Sequence, residues 1–348
     1  MSTARTARRS GLRVGWAVAG GLVACLLATA PGLAAEFEKP QVVRIDGRLP
    51  TSIGGRGGVL WLTTAGAKGP APGSLLGGVL PDGRRLRGVR VGTTRIAWDG
   101  RESWLVADSG LSVIAPSVTA LRHRGKVLAS PRAPSGGAGN VFNLARSGNA
   151  VWVTGGDCKS EESCFTLLTR FGVSGGPGIG LRTSGEAEVA VTSSGLWTVG
   201  QSLGGAPQLS LRDERTGAVR TRRRLPDGFG AKRSPNGVFA AATARTVWLS
   251  DVDGRLLGVG PGARLARVPT RRQRAAQMVG TSETLWTVST GAPALIGIDD
   301  RGRVARRVDL PPLRFRPGVD SYLIGVTTNS IWVASTGASR LVRIPRRA

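Results

Sequence analysis

Histidine and tyrosine each occur once in this 348-residue chain, methionine twice and cysteine three times. That scarcity excludes a zinc site built from several His or Cys ligands, and a catalytic centre relying on more than one imidazole. Aromatic side chains make up only 5% of the residues, nine of them tryptophan. Acids are also few, 22 against 48 basic residues, a formal charge of +26. What is abundant is glycine (52) and proline (20), with 41% hydrophobic residues. Such a chain can bury a sizeable core, and it suits many short elements joined by tight turns rather than a helical bundle.

The first 13 residues carry Arg5, Arg8, Arg9 and Arg13 with no acid, Val14 to Ala30 is almost wholly apolar, and small residues continue to Ala35 before Glu36. This order reads as an export signal cleaved after Ala34 or Ala35. Two alternatives stay open. The apolar stretch from 14 to 35 nearly spans a bilayer of about 20 residues and would then be an uncleaved anchor contacting membrane. Leu22-Val23-Ala24-Cys25 also has the form of a lipobox. Each reading puts residues 36–348 outside the cytoplasm, where disulfides persist, and leaves Cys158 and Cys164 as the two cysteines that pair.

A repeat runs through the rest of the chain. Leu60-Trp61-Leu62-Thr63, Ser103-Trp104-Leu105-Val106, Val151-Trp152-Val153-Thr154, Leu196-Trp197-Thr198-Val199, Val247-Trp248-Leu249-Ser250, Leu285-Trp286-Thr287-Val288 and Ile331-Trp332-Val333-Ala334 are seven short strands, each built round one Trp. Their spacings average about 45 residues, the length of a propeller blade. Trp16 and Trp98 fall outside the register. An apolar run precedes each Trp strand, and a third apolar segment, a turn and a basic fourth segment follow; Pro81-Asp82-Gly83, Arg215-Thr216-Gly217 and Arg301-Gly302 are such turns. The seventh unit stops after Leu341-Val342-Arg343-Ile344, whereas Gln41-Val42-Val43-Arg44-Ile45 is a strand with no unit of its own. Pairing the two would close a ring and remove the exposed sheet edges. The expected fold is therefore all-β, a seven-bladed β-propeller of four-stranded blades over residues 36–348, closed by the N-terminal strand in the last blade.

In these repeats the chain resembles the streptogramin lyase-like (virginiamycin B lyase-like) and YVTN-type propellers. That resemblance implies a lyase that opens a cyclic peptide lactone, using histidines and a glutamate around the central channel with a bound divalent cation. The chain departs from this pattern, since it holds only His123, near the third-to-fourth strand turn of the second unit, and a two-histidine site cannot be assembled.

Other motifs read more simply as structure. One large Trp per unit fills the space between neighbouring sheets. Gly200-Gln201-Ser202-Leu203-Gly204 matches a nucleophile elbow in letters, but the sole histidine precedes it and a strand-to-strand turn is expected there. Asp251-Val252-Asp253-Gly254 lacks the further oxygens and closing Glu of a calcium loop, so it reads as a hairpin turn. Cys158 and Cys164 flank a five-residue loop without the Cys-x-x-Cys spacing of a redox pair, which suggests a disulfide pinning that loop.

Arginines cluster at one place in the repeat, on or beside the fourth segment: Arg222, Arg223 and Arg224; Arg271 and Arg272; Arg306 and Arg307. The fourth strand of a blade is outermost, so these seven residues are candidate binding residues on a basic rim. A positive rim draws polyanions, and an exported location favours cell-envelope polymers, lipid head groups or a protein over nucleic acid. The basic segments carry no interleaved aromatics on which single-stranded nucleic acid would stack. Arginine outnumbers lysine 43 to 5, a bias of composition that also accounts for part of the charge. The function expected is thus that of an exported, monomeric, non-enzymatic binding or scaffold module without cofactor. The alternative is a lyase or hydrolase with its site at the central channel, built from carboxylates and amides.

Overall fold

A computed structural model describes residues 37–45, 48–65, 74–91, 94–100, 103–107, 110–113, 127–128, 140–158, 164–172, 179–183, 186–200, 207–230, 238–251, 254–260, 265–268, 278–289, 293–316 and 319–347, all within the compact unit Gly32–Ala348. Every regular element among them is a strand, as the repeated Trp-centred apolar runs and turns lead one to expect. The N-terminal segment with its export signal, anchor or lipobox, His123, the Gly200–Gly204 motif beyond its first residue, and Arg271 and Arg272 lie outside the described residues.

Strand β1 (Gln41–Arg44) comes first in the chain. The first sheet holds β2 (Leu49–Arg56), β3 (Val59–Ala65), β4 (Ser74–Val79) and β5 (Arg85–Val91). The second holds β6 (Thr94–Trp98), β7 (Ser103–Ala107), β8 (Gly110–Val113) and β9 (Val127–Leu128). The third holds β10 (Asn140–Ser147), β11 (Ala150–Cys158), β12 (Cys164–Gly172) and β13 (Ile179–Thr183). In the fourth are β14 (Glu186–Thr192), β15 (Gly195–Gly200), β16 (Gln208–Arg212) and β17 (Val219–Arg224). In the fifth are β18 (Val238–Ala242), β19 (Val247–Asp251), β20 (Leu256–Val259) and β21 (Leu265–Val268). The sixth comprises β22 (Val279–Gly280), β23 (Thr284–Ser289), β24 (Ala294–Asp299) and β25 (Val304–Asp309). The last comprises β26 (Tyr322–Thr327), β27 (Ser330–Ser335) and β28 (Arg340–Pro345), with β1 as its fourth strand. Strands neighbour each other in chain order, the β1–β28 pair excepted. In that pair, Gln41 faces Arg343 and Arg44 faces Arg340.

The seven repeat tryptophans all lie on the second strand of a sheet and are at most 2% exposed. The inner-strand residue across from the Trp is Gly or Ala in six sheets, Gly54, Ala97, Ala145, Ala190, Ala241 and Gly325, and Val279 in the sixth sheet. An indole beside a Gly or Ala leaves neither clash nor void, and each buries on the order of 150–250 Å². On the third strand three of these indoles face glycine, Trp61 opposite Gly78, Trp248 opposite Gly258 and Trp286 opposite Gly297, and a Cβ on Gly258 would stand 2.7 Å from Trp248 and one on Gly297 2.8 Å from Trp286.

Hydrogen bonds tie sheet to sheet. The Ile96 N–H donates to Ser52 Oγ at 2.7 Å (second sheet to first) and the Arg146 N–H to the Asp99 carbonyl at 2.9 Å (third to second). The Ser193 N–H donates to the Ala244 carbonyl at 2.7 Å, the Ala244 N–H to the Ser282 carbonyl at 2.9 Å, and the Thr328 N–H to the Gly57 carbonyl at 2.8 Å. Between the sixth and last sheets the link is apolar, with Phe37 edge-on to Trp286 at 5.6 Å within a cluster that includes Val288, Tyr322 and Ile331.

The approach of inner strands is closest in two places. A Cβ on Gly55 would fall 1.6 Å from the Val326 carbonyl oxygen, and one on Gly280 would fall 1.7 Å from that of Ala242. Glycine is required there because backbone lies against backbone.

Candidate functional site

Two features stand out, one on the outside and one inside. Outside, all six residues of β17 are exposed, and its sequence is VRTRRR. As the fourth strand of its sheet, β17 pairs, among the described residues, only with β16, setting Arg222 opposite Ser210, Arg223 opposite Leu209 and Arg224 opposite Gln208. A register shift beside Leu211 leaves Arg220 out of the ladder, and its guanidinium pairs with Asp213. The Asp213 carboxyl is held far below the usual carboxylate range, chiefly by the Thr216 N–H and then by Arg220. Arg222 and Arg224 have no acidic partner among the described residues.

Arg306 and Arg307 sit on β25, the fourth strand of another sheet. Arg306 donates through Nη1 to Thr284 Oγ1 at 2.8 Å, and Arg307 reaches Asp309 at 3.1 Å. The two groups therefore sit on the fourth strands of two different sheets, at the place in the repeat that the sequence gives them. Nor are the outer strands equally charged: β5, β17 and β25 carry two or more arginines each, whereas β9 is Val-Leu and β13 holds only Arg182.

Among the remaining motifs, the Asp251 side chain is fully buried and accepts from the Arg255 N–H at 2.8 Å and from Arg255 Nε at 2.6 Å. With Gly254 at a φ of +77°, this is a hairpin turn whose carboxylate serves the chain itself. The backbones of Cys158 and Cys164 stand directly opposite each other at the end of the β11–β12 ladder.

Inside, the inner strands of the second to sixth sheets surround a cavity of about 600 Å³. Its wall includes Trp98, Asn143, Glu188, Phe239 and Met278. Three of these follow from register. Counting two residues back from the one that faces the repeat Trp gives Asn143 on β10, Glu188 on β14 and Phe239 on β18, three consecutive sheets. Bulges immediately before Asn143 and Glu188 set their phase. Glu188 Oε2 accepts from Asn143 Nδ2 at 2.6 Å and from the Ala240 N–H at 3.0 Å, so one carboxylate joins three sheets. Phe239, by contrast, is 42% exposed. Trp98, the tryptophan outside the repeat, donates its indole N–H to the Gly280 carbonyl at 3.0 Å and packs on the cluster around Tyr322. Neither Glu188 nor Phe239 is distinguished in the sequence; the register relative to the Trp strands is the signal that finds them.

No protein-family model matches the chain, and no curated protein matches it. Similarity appears among solved structures. Hsv2 of Kluyveromyces lactis, with loop 6CD replaced by a Gly-Ser linker, superposes with a TM-score of 0.50 at 13% identity, over 83% of this chain and 90% of that one. PorZ, an essential bacterial surface component of the type-IX secretion system of Porphyromonas gingivalis, superposes with a TM-score of 0.52 at 11% identity, over 89% of this chain. The chain spans 39% of the PorZ length. At such identities the likeness speaks for architecture alone, and with the repeated four-stranded sheets it establishes that this chain folds as a β-propeller.

Proposed function

We propose that the chain is an exported, non-enzymatic propeller, a closed ring of seven blades, that binds an anionic polymer of the cell envelope along its outer face. The observation that carries this reading is β17, an edge strand with four arginines, every residue exposed, and no acidic partner for Arg222 or Arg224 among the described residues. The exposed guanidiniums of Arg222 and Arg224, two residues apart on one strand, suit the phosphates or carboxylates of such a polymer. Ring closure is supported by the β1–β28 ladder and by the bonds from sheet to sheet. Export is supported by the order of charge, apolar run and small residues in positions 5–35. An oxidised Cys158–Cys164 pair belongs to the same reading and is supported by their facing backbones.

Binding of poly(glycerol phosphate) to the purified protein, measured at several salt concentrations, tests the rim. Arg222→Glu/Arg223→Glu/Arg224→Glu is expected to weaken binding about tenfold or more and to flatten the salt dependence, with the melting temperature nearly unchanged because the replaced side chains are exposed. Unchanged affinity in a folded triple variant overturns the assignment.

A further inference from the structure

We propose that the interior cavity is a binding site for a small aryl-alkyl amine, a site independent of the basic rim. Its size of about 600 Å³ falls within the range of small-molecule pockets, roughly 300–1,000 Å³. Among the described residues, the titratable groups on its wall are Asp99, Glu188 and Arg146. Arg146 turns its Nε to the Gly148 carbonyl at 3.1 Å. Asp99 is buried and accepts from the Trp104 indole at 2.7 Å, which engages it in its own sheet. Glu188 is the acid positioned by register on the cavity wall, alongside the amide of Asn143.

The apolar part of the wall complements that charge. Phe239 occupies the equivalent register position on the next sheet and leaves 42% of its surface open, an arrangement with no packing benefit. Trp98 adds an indole on the cavity wall, half-buried against the cluster around Tyr322 and with its N–H satisfied by Gly280. An aromatic face and a carboxylate on one wall suit a ligand with a flat apolar end and an ammonium end, through ring contact, cation–π attraction and an ion pair. The positive rim does not forbid this, because charges beyond about 8 Å are screened at physiological salt.

The test uses the full chain with 2-phenylethylamine and, as its charge-reversed counterpart, 3-phenylpropionate, each titrated by calorimetry. The amine is expected to bind and the acid not. Glu188→Gln is expected to weaken the amine about tenfold and Phe239→Ala about fivefold, with Arg222→Glu/Arg223→Glu/Arg224→Glu as a control that binds normally. Because Glu188 also links sheets, Phe239→Ala serves as the variant that removes ring contact without removing a hydrogen bond. Equal binding of both probes, binding of neither, or amine binding unaffected in folded Glu188→Gln and Phe239→Ala overturns the proposal.

Discussion

Trp98 on the second sheet donates its indole N–H to the carbonyl of Gly280 on the sixth, 182 residues further along the chain. Two strands that are not neighbours in the ladder order are thereby joined beside the interior cavity. Replacing Trp98 by Phe keeps an aromatic ring but removes the donor. The expected loss is about 1–2 kcal/mol in the free energy of unfolding, read from urea denaturation, since the Gly280 carbonyl loses its indole partner. A loss below the error of that measurement would show that the bond contributes little.

The glycines at the close approaches provide a sharper contrast. Gly55→Ala would drive a methyl into the Val326 carbonyl, and Gly280→Ala one into that of Ala242. Each should cost about 3 kcal/mol or more, because backbone on both sides has to move. Gly77→Ala, where nothing lies within 4 Å of the added atom, should be neutral or slightly stabilising. Thermal melts of the three variants decide it.

Acid should destabilise the fold through a set of turn aspartates. The Asp213 carboxyl is lowered, first by the Thr216 N–H and then by Arg220. Asp320 is lowered by the Arg316 side chain first, and Asp299 is lowered although burial opposes it, because the Arg303 and Arg301 N–H groups and the Arg303 side chain outweigh that opposition. A depressed folded-state pKa contributes stability that is present above the unfolded value, near 4, and is lost as pH falls through the folded value. Unfolding free energy measured from pH 6 to pH 2 should therefore decline below about pH 4. Asp213→Asn should show a shallower decline, and an unchanged slope would remove Asp213 from the set.

The backbones of Cys158 and Cys164 face one another across the β11–β12 ladder, with five residues between them in the chain. Oxidised protein is expected to gain about 2 Da on reduction, by intact mass under non-reducing and reducing conditions. Losing the link should cost about 2 kcal/mol, the scale for so short a loop. Identical masses in both conditions would exclude the bond.

Much of the architecture was legible along the chain, because each unit carries its own signals. A Trp set in a short apolar run marks a buried strand, and a glycine-containing turn after the third apolar segment reverses the chain. Those constraints act within about 45 residues. The strand Gln41–Arg44 could likewise be matched to the last unit because it lacked partners of its own. On the rim, the place of Arg222–Arg224, Arg306 and Arg307 in the repeat was legible, since β17 and β25 are each the fourth strand of a sheet; that Arg306 is engaged with Thr284 was not.

The sequence by itself determined an all-β repeat protein with buried tryptophans, a single histidine and an excess of arginine. Only the tertiary structure decided that Asn143, Glu188, Phe239 and Trp98 share one cavity. Local patterns specify which face of a strand is apolar, but convergence across sheets depends on bulges that shift phase and on glycines that let backbones touch. Glu188 is one acid among 22 in the sequence, and it becomes the junction of three sheets because the β10, β14 and β18 registers bring Asn143 and Ala240 to the same carboxylate oxygen.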